Sequence, residues 1–239
     1  MIDMHSIDIV NLRQRWRPDQ PWVLDIPAFS MGAHEQLFLA GPSGTGKSTL
    51  LAVLCGVIGA SVDGSDGKVQ VLGHAMHALP AAQRDQLRAD RMGVIFQLFN
   101  LLPFLSAVDN VLLAAQFAPT RRARAAARSG SLKQEAERLL AELQLPAELW
   151  TRRARELSVG QQQRVAAARA LFGGPQVVFA DEPTSALDSD ARNAFIELLQ
   201  SECRATGAAL LFVSHDRALA SRFDRSVELG QINRAQTPR

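Results

Sequence analysis

Short apolar runs alternate along the chain with longer stretches whose apolar positions recur at helical spacing, a pattern that predicts α/β architecture with a largely parallel sheet. Gln36 to Ala40, Gln176 to Ala180 and Ala208 to Ser214 read as buried central strands. Ser6 to Val10, Trp22 to Ile26, Lys68 to Leu72 and Ser226 to Leu229 read as shorter additional strands, and Gly93 to Phe96 as another. Each central strand ends at a candidate chemical group, where open α/β sheets hold their ligands. Between Gln97 and Phe172 the pattern turns helical, over Val108 to Gln116, Leu132 to Leu143 and a third helix after Ser158. This predicts a helical subdomain of approximately residues 98–172 inserted into one domain spanning residues 1–239.

Composition narrows the picture only a little. A length of 239 residues with 47% hydrophobic content allows a full core within one composite domain. A net charge of +2 gives no electrostatic footprint for nucleic acid, so no nucleic-acid partner is expected. Cys55 and Cys203 match no metal-ligand spacing and are expected to be buried thiols. Met1 to Arg17 is charged throughout without an apolar core segment, so a secretory signal is not expected. No run of 18 apolar residues occurs, so membrane spans would have to come from a separate chain. The run Arg121 to Arg128 reads as a solvated, partly helical connector, with contact to anionic lipid as the functional alternative. The tail Gln231 to Arg239 is polar and expected to be loose.

The chemistry begins at Gly41-Pro42-Ser43-Gly44-Thr45-Gly46-Lys47-Ser48-Thr49, which satisfies GxxxxGK[ST] between an apolar strand and a helical run, Ser48 to Val57. Glycines let the backbone curl so that successive N–H groups face phosphate oxygens, and the following helix N-terminus adds positive potential. Lys47 would reach the β- and γ-phosphates, and the Ser48 hydroxyl would ligate Mg²⁺. Downstream, Asp181 closes an apolar strand and could reach the Mg²⁺ shell, while Glu182, projecting differently, could polarise an attacking water. In isolation Asp181-Glu182-Pro183 would read equally as an acidic turn closing a strand, but beside a phosphate loop the functional reading is the one expected. Ser158 is a reasonable N-cap for the helix through Gln161, Arg164 and Ala168, as Asp188 is for a helix from Ser189 to Cys203. His5, His34, His74 and His77 lack strand-end placement and read as surface residues.

A phosphate loop followed by Leu157-Ser158-Val159-Gly160-Gln161 and then by Val177 to Glu182 resembles the ATP-binding cassette (ABC) ATPases over nearly the whole chain. The resemblance implies a P-loop NTPase core, RecA-like with a mostly parallel sheet, together with an antiparallel β part and an inserted α-helical subdomain. It implies an ATP-hydrolysing motor subunit of a membrane transporter, using ATP and Mg²⁺, that dimerises on ATP and drives a separate permease. By that resemblance Ser158, Gly160 and Gln161 contact the nucleotide of the opposite subunit, although Val159 replaces the family's commonest residue. Gln97 matches the glutamine that contacts Mg²⁺ and water, and His215 matches the switch histidine at the γ-phosphate. Ser185-Ala186-Leu187-Asp188 resembles the D-loop. The family stacks adenine on an aromatic residue before the phosphate loop; this chain has no tyrosine, Trp16 holds that place by spacing, and Trp22 is better suited to core packing.

Leu79-Pro80, Arg84 to Arg91 and the run Met92 to Pro103 resemble the lipoprotein-release and macrolide-export branch, the LolD and MacB types. Export or envelope remodelling is the activity that branch implies, at the cytoplasmic face of the inner membrane and peripheral through the permease. The alternative is a soluble ABC-type regulator that couples ATP binding to a partner without transport.

Overall fold

Apolar runs covered on both faces make the central strands of this computed structural model, which describes residues 5–185 and 187–235. In chain order the elements are β1 (His5–Gln14), β2 (Leu24–Gly32), β3 (Gln36–Ala40), α1 (Lys47–Leu54), β4 (Lys68–Val71), β5 (His74–Ala75), α2 (Ala81–Arg91) and β6 (Met92–Ile95). They continue with α3 (Ala107–Leu112), α4 (Pro119–Ser129), α5 (Leu132–Glu142), α6 (Val159–Leu171), β7 (Val177–Asp181), α7 (Ser189–Thr206), β8 (Ala209–Ser214), β9 (Arg225–Glu228) and α8 (Leu229–Ile232). The chain divides into two compact units, residues 1–88 with 209–239, and residues 89–208.

The first unit holds an antiparallel sheet in the order β2-β1-β4-β5. Ile7, Ile9 and Leu12 of β1 and Leu24 and Ile26 of β2 are fully or almost fully buried, while intervening positions are more exposed, the period-two pattern of a strand with one covered face. Both strands run further than their apolar residues predict because the hairpin pairing carries polar positions along, out to Gln14 opposite Leu24. In the same unit β3 pairs in parallel with β8 and with β9. Every residue of β3 and β8 is buried, as strands covered on both faces require. Phe38, Phe212 and Phe223 form an aromatic cluster with ring centroids 5.1 to 6.2 Å apart.

The second unit pairs β6 with β7 in parallel and surrounds α6 with α3, α5, α7 and β6. Gly93 permits this approach, since a β-carbon there would collide with the Ala170 carbonyl at the end of α6. The helices expected between residues 98 and 172 lie inside this unit, α3 tightening into a short 3₁₀ turn at Leu113–Ala115.

The basic run Arg121 to Arg128 is helical and mostly exposed, as expected of a solvated segment, but Arg121 itself is not solvated. The run forms most of α4, and Arg121 is 4% exposed. Its guanidinium donates to the carbonyls of Phe172 (2.7 Å), Met92 (3.1 Å), Ala89 (3.5 Å), Arg169 (3.2 Å) and Ala170 (2.7 Å). Those acceptors include the final carbonyls of α2 and α6, the groups a helix leaves without internal partners and the negative end of its dipole. Burial pushes the Arg121 pKa down to about 10, with the Arg124 charge adding to the fall and Asp90 opposing it.

The polar tail is likewise anchored as far as it is described. Asn233 Oδ1 accepts from Asp25 N at 2.8 Å, and its Nδ2 donates to Val23 O at 2.9 Å. Residues 236–239 lie outside the described residues, as do 1–4 of the charged N-terminal stretch. Cys55 and Cys203 are buried, and burial raises the Cys203 thiol to about 12, with Glu202 reinforcing and Arg204 opposing the shift. Among the described residues no helix is long and apolar enough to cross a membrane.

Candidate functional site

In the first unit, parallel pairing sets Ala40 of β3 opposite Ser214 of β8, so the loop Gly41 to Thr49 and His215 emerge from neighbouring strand ends. The loop closes on itself. Thr45 Oγ1 donates to Pro42 O at 2.8 Å, and Lys47, 6% exposed, donates Nζ to Gly41 O at 2.6 Å and Pro42 O at 2.9 Å. Gly46 is the N-cap of α1 with φ of 99°, a conformation open to glycine and strained for other residues. A β-carbon at Gly46 would also press on Leu24 Cδ2 at 2.9 Å. Gly46 supplies no side-chain cap to α1, and a helix N-terminus without a side-chain cap favours an anion. The helix stops at Leu54, short of Val57, because Gly56 turns the backbone to φ of 68°.

The same unit places both candidate tryptophans. Trp16 is 59% exposed in the connection between β1 and β2. That connection closes through Val23 N donating to Gln14 O at 2.8 Å, and the Val23 carbonyl lies against Gly46. Trp22 is only half-buried and does not pack in the core as its hydrophobicity predicts; the Arg15 guanidinium lies 4.5 Å from its ring centroid and that of Arg13 5.9 Å. Cations over its face take the place of core packing. Asn233 is a residue that sequence reasoning passed over: its Nδ2 also approaches Thr45 O at 3.4 Å, tying the chain after α8 to the phosphate loop. A polar residue in a polar tail carries no signal that would single it out.

The histidines set aside from the site are less uniform than expected. His5 and His34 are exposed, but His74 and His77 are half-buried, and the His77 ring accepts the Val69 N–H at 3.2 Å. Among the described residues no group of three or more His, Cys, Asp or Glu side chains could hold a metal.

In the second unit the register Ile95 opposite Ala180 puts Phe96 and Gln97 beside Asp181 and Glu182 at neighbouring strand ends. Asp181 and Glu182 are half-buried and Gln97 is exposed. Glu182 has φ of 47°, the left-handed region, so the backbone leaves at Glu182 the strand conformation that Asp181 still keeps. Ser158 caps α6 in a reciprocal arrangement: Gln161 N donates to Ser158 Oγ at 3.3 Å, and Ser158 N donates to Gln161 Oε1 at 2.9 Å. Val159 is 49% exposed beside it. A β-carbon at Gly160 would meet Leu187 Cδ2 at 3.3 Å, so the start of α6 touches the loop before α7. Asp188 caps α7 through Ala191 N at 2.9 Å, whereas Ala186 of that loop lies outside the described residues.

A glycine-rich GxxxxGK[ST] loop between a buried strand and a helix, with its lysine buried, marks a protein of the P-loop class. The ABC transporter family profile matches residues 24–185, and the chain belongs to that family. An uncharacterised ABC transporter ATP-binding protein of Escherichia coli, YbbA, is 43% identical over 83% of this chain and 82% of its own length. The lipoprotein-releasing system ATP-binding protein LolD 2 of Rhodospirillum rubrum is 40% identical over 87% of this chain and 85% of its own. The macrolide export ATP-binding/permease protein MacB of Burkholderia cenocepacia is 41% identical over 87% of this chain but only 28% of its own length. A dimeric ATP-binding cassette, MJ0796, in a post-hydrolysis state bound to ADP and Pi, aligns with a TM-score of 0.80 and 28% identity, covering 98% of this chain and 99% of that one. The fold is that of an ABC cassette, and the chain is an ATP-binding, ATP-hydrolysing motor subunit of LolD/MacB type.

Proposed function

We propose that this chain works as a homodimer whose two copies share each ATP site, and that it drives a separate integral-membrane permease from the cytoplasmic face of the inner membrane. The observation that carries the reading is the pair of strand registers, Ala40 with Ser214 and Ile95 with Ala180, which gather the phosphate loop with His215 and Gln97 with the two carboxylates. Gly41, Pro42, Ser43, Gly44, Thr45, Gly46, Lys47, Ser48 and Thr49 cradle the phosphates. Trp16 stacks on adenine. Ser158, Gly160 and Gln161 serve the nucleotide of the other copy, with Val159 exposed between them. Glu182 orients and deprotonates the attacking water, and His215 donates to the γ-phosphate.

By the family resemblance Ser48, Asp181 and Gln97 would hold Mg²⁺, and each side chain offers a hard oxygen. Such a site takes its remaining ligands from phosphate and water rather than from an all-protein cage. When bound, the ion would neutralise developing charge on the phosphate oxygens.

A second reading, a soluble ABC-type regulator without transport, calls for a different partner. Two measurements separate them. Steady-state ATPase activity together with co-purification of a membrane protein is expected for the motor subunit. A chain that hydrolyses ATP yet stays with no membrane protein in detergent extracts would favour the regulator.

A further inference from the structure

Arg169, in the last turn of α6, reaches out of its helix to the segment just after Gln97. Nη1 donates to Asn100 O at 2.7 Å and Nη2 to Phe99 O at 2.6 Å. Phe99 and Asn100 have φ of 59° and 51°, so two consecutive residues other than glycine stand in the left-handed region. L side chains adopt that conformation rarely, and asparagine tolerates it better than phenylalanine. Two further bonds complete the turn: Phe99 N donates to Phe96 O at 2.9 Å and Asn100 N to Leu98 O at 2.6 Å. The planar fork of a guanidinium suits two adjacent carbonyls in a way that a lysine ammonium does not.

Arg169 is itself braced. Its own carbonyl accepts from Arg121 at 3.2 Å, and Arg121 also holds Met92 O at the start of β6, the strand that leads to Gln97. Burial lowers the pKa of the Arg169 guanidinium. The helix that begins at Ser158 therefore ends in a side chain that grips the loop beyond Gln97.

We infer that Arg169 is a positioning residue for Gln97: it holds Phe99 and Asn100 left-handed, and so fixes Gln97 relative to α6. The inference rests on the reading of Gln97 as a catalytic-site residue. Because the grip lies outside the phosphate loop, its loss is felt in turnover and leaves nucleotide binding largely intact.

The test is a kinetic cycle on the full chain with ATP and Mg²⁺, alongside thermal melting. Arg169→Ala should lower kcat by about tenfold to a hundredfold, the scale of releasing left-handed residues, with KM for ATP within about twofold. Adding Phe99→Gly and Asn100→Gly to Arg169→Ala should recover at least about fivefold, since glycine enters that region without steric cost. A purely architectural arginine would give no such recovery. In a Gln97→Ala background, Arg169→Ala should cost less than about a further twofold, because residues acting through one another are not additive. Multiplicative losses would overturn the inference. If Gln97→Ala is defective while Arg169→Ala keeps wild-type kcat, the reading of Gln97 stands and this inference alone falls; if Gln97→Ala is silent, both fall. Should Arg169→Ala fail to fold, Arg169→Lys runs the same cycle with the charge kept and the fork lost, and the same outcomes decide it.

Discussion

Glu182 combines an acidic side chain with a backbone at φ of 47°, one residue beyond the end of β7. Non-glycine residues in the left-handed region cost on the order of 1 to 3 kcal/mol, and such strain clusters where a side chain must be aimed. Glu182→Gln keeps the size of the group and removes its basicity. ATP affinity should be retained while turnover falls by about 10²- to 10⁴-fold, the usual contribution of a general base; an unchanged ATPase rate would remove Glu182 from the mechanism. The tryptophans divide just as clearly. Trp16 offers an exposed ring on the connection that backs Gly46, whereas the ring of Trp22 lies under Arg15 at 4.5 Å. Trp16→Ala should raise the nucleotide dissociation constant by roughly 5- to 150-fold, matching about 1 to 3 kcal/mol of base stacking. Trp22→Ala should leave it within about twofold and cost about 0.5 to 1 kcal/mol of stability from the lost cation–π contact. Equilibrium titration and urea unfolding would separate the two, and the reverse pattern would move the adenine platform to Trp22.

At the scale of elements, α4 is held by a residue that the hydrophobic pattern assigns to solvent. Arg121→Met keeps an aliphatic stem but withdraws the donors from five carbonyls. Removing a buried charge recovers some desolvation, yet the orphaned carbonyls outweigh it, and a loss of about 2 to 4 kcal/mol is expected. A urea midpoint equal to that of the wild type would show that the network contributes nothing net. Sequence reasoning misses Arg121 because charge in an alanine-rich helix is ordinarily solvated, and only the two helix ends that meet it make burial favourable. The same limit explains the tail, where Asn233 finds Asp25, Val23 and Thr45 at separations no local pattern reveals. By contrast β3 was legible to the residue and β8 nearly so, since strands buried on both faces announce themselves as unbroken apolar runs. The caps at Ser158 and Asp188 were legible too, because N-cap chemistry is local. The phosphate loop, Asp181 and Glu182 follow from motif and strand order, but the grip of Arg169 on the loop after Gln97 depends on tertiary packing.

For the whole molecule, the central claim is that each ATP site is built from two copies of the chain. On that proposal the phosphate loop, Asp181, Glu182 and His215 would come from one copy and Ser158 to Gln161 from the other. Lys47→Ala damages the phosphate loop in both sites of its homodimer, and Ser158→Arg sets a bulky cation into both signature regions. In the mixed dimer one site carries both lesions and the other carries neither, so a complete Lys47 meets a complete Ser158. The decisive measurement is ATP occlusion and hydrolysis by a purified Lys47→Ala/Ser158→Arg heterodimer, compared with each parent homodimer. The account predicts that the heterodimer occludes ATP in one site and regains part of the wild-type hydrolysis while both parents remain inactive. A demonstrated heterodimer that neither occludes nor hydrolyses ATP would contradict it.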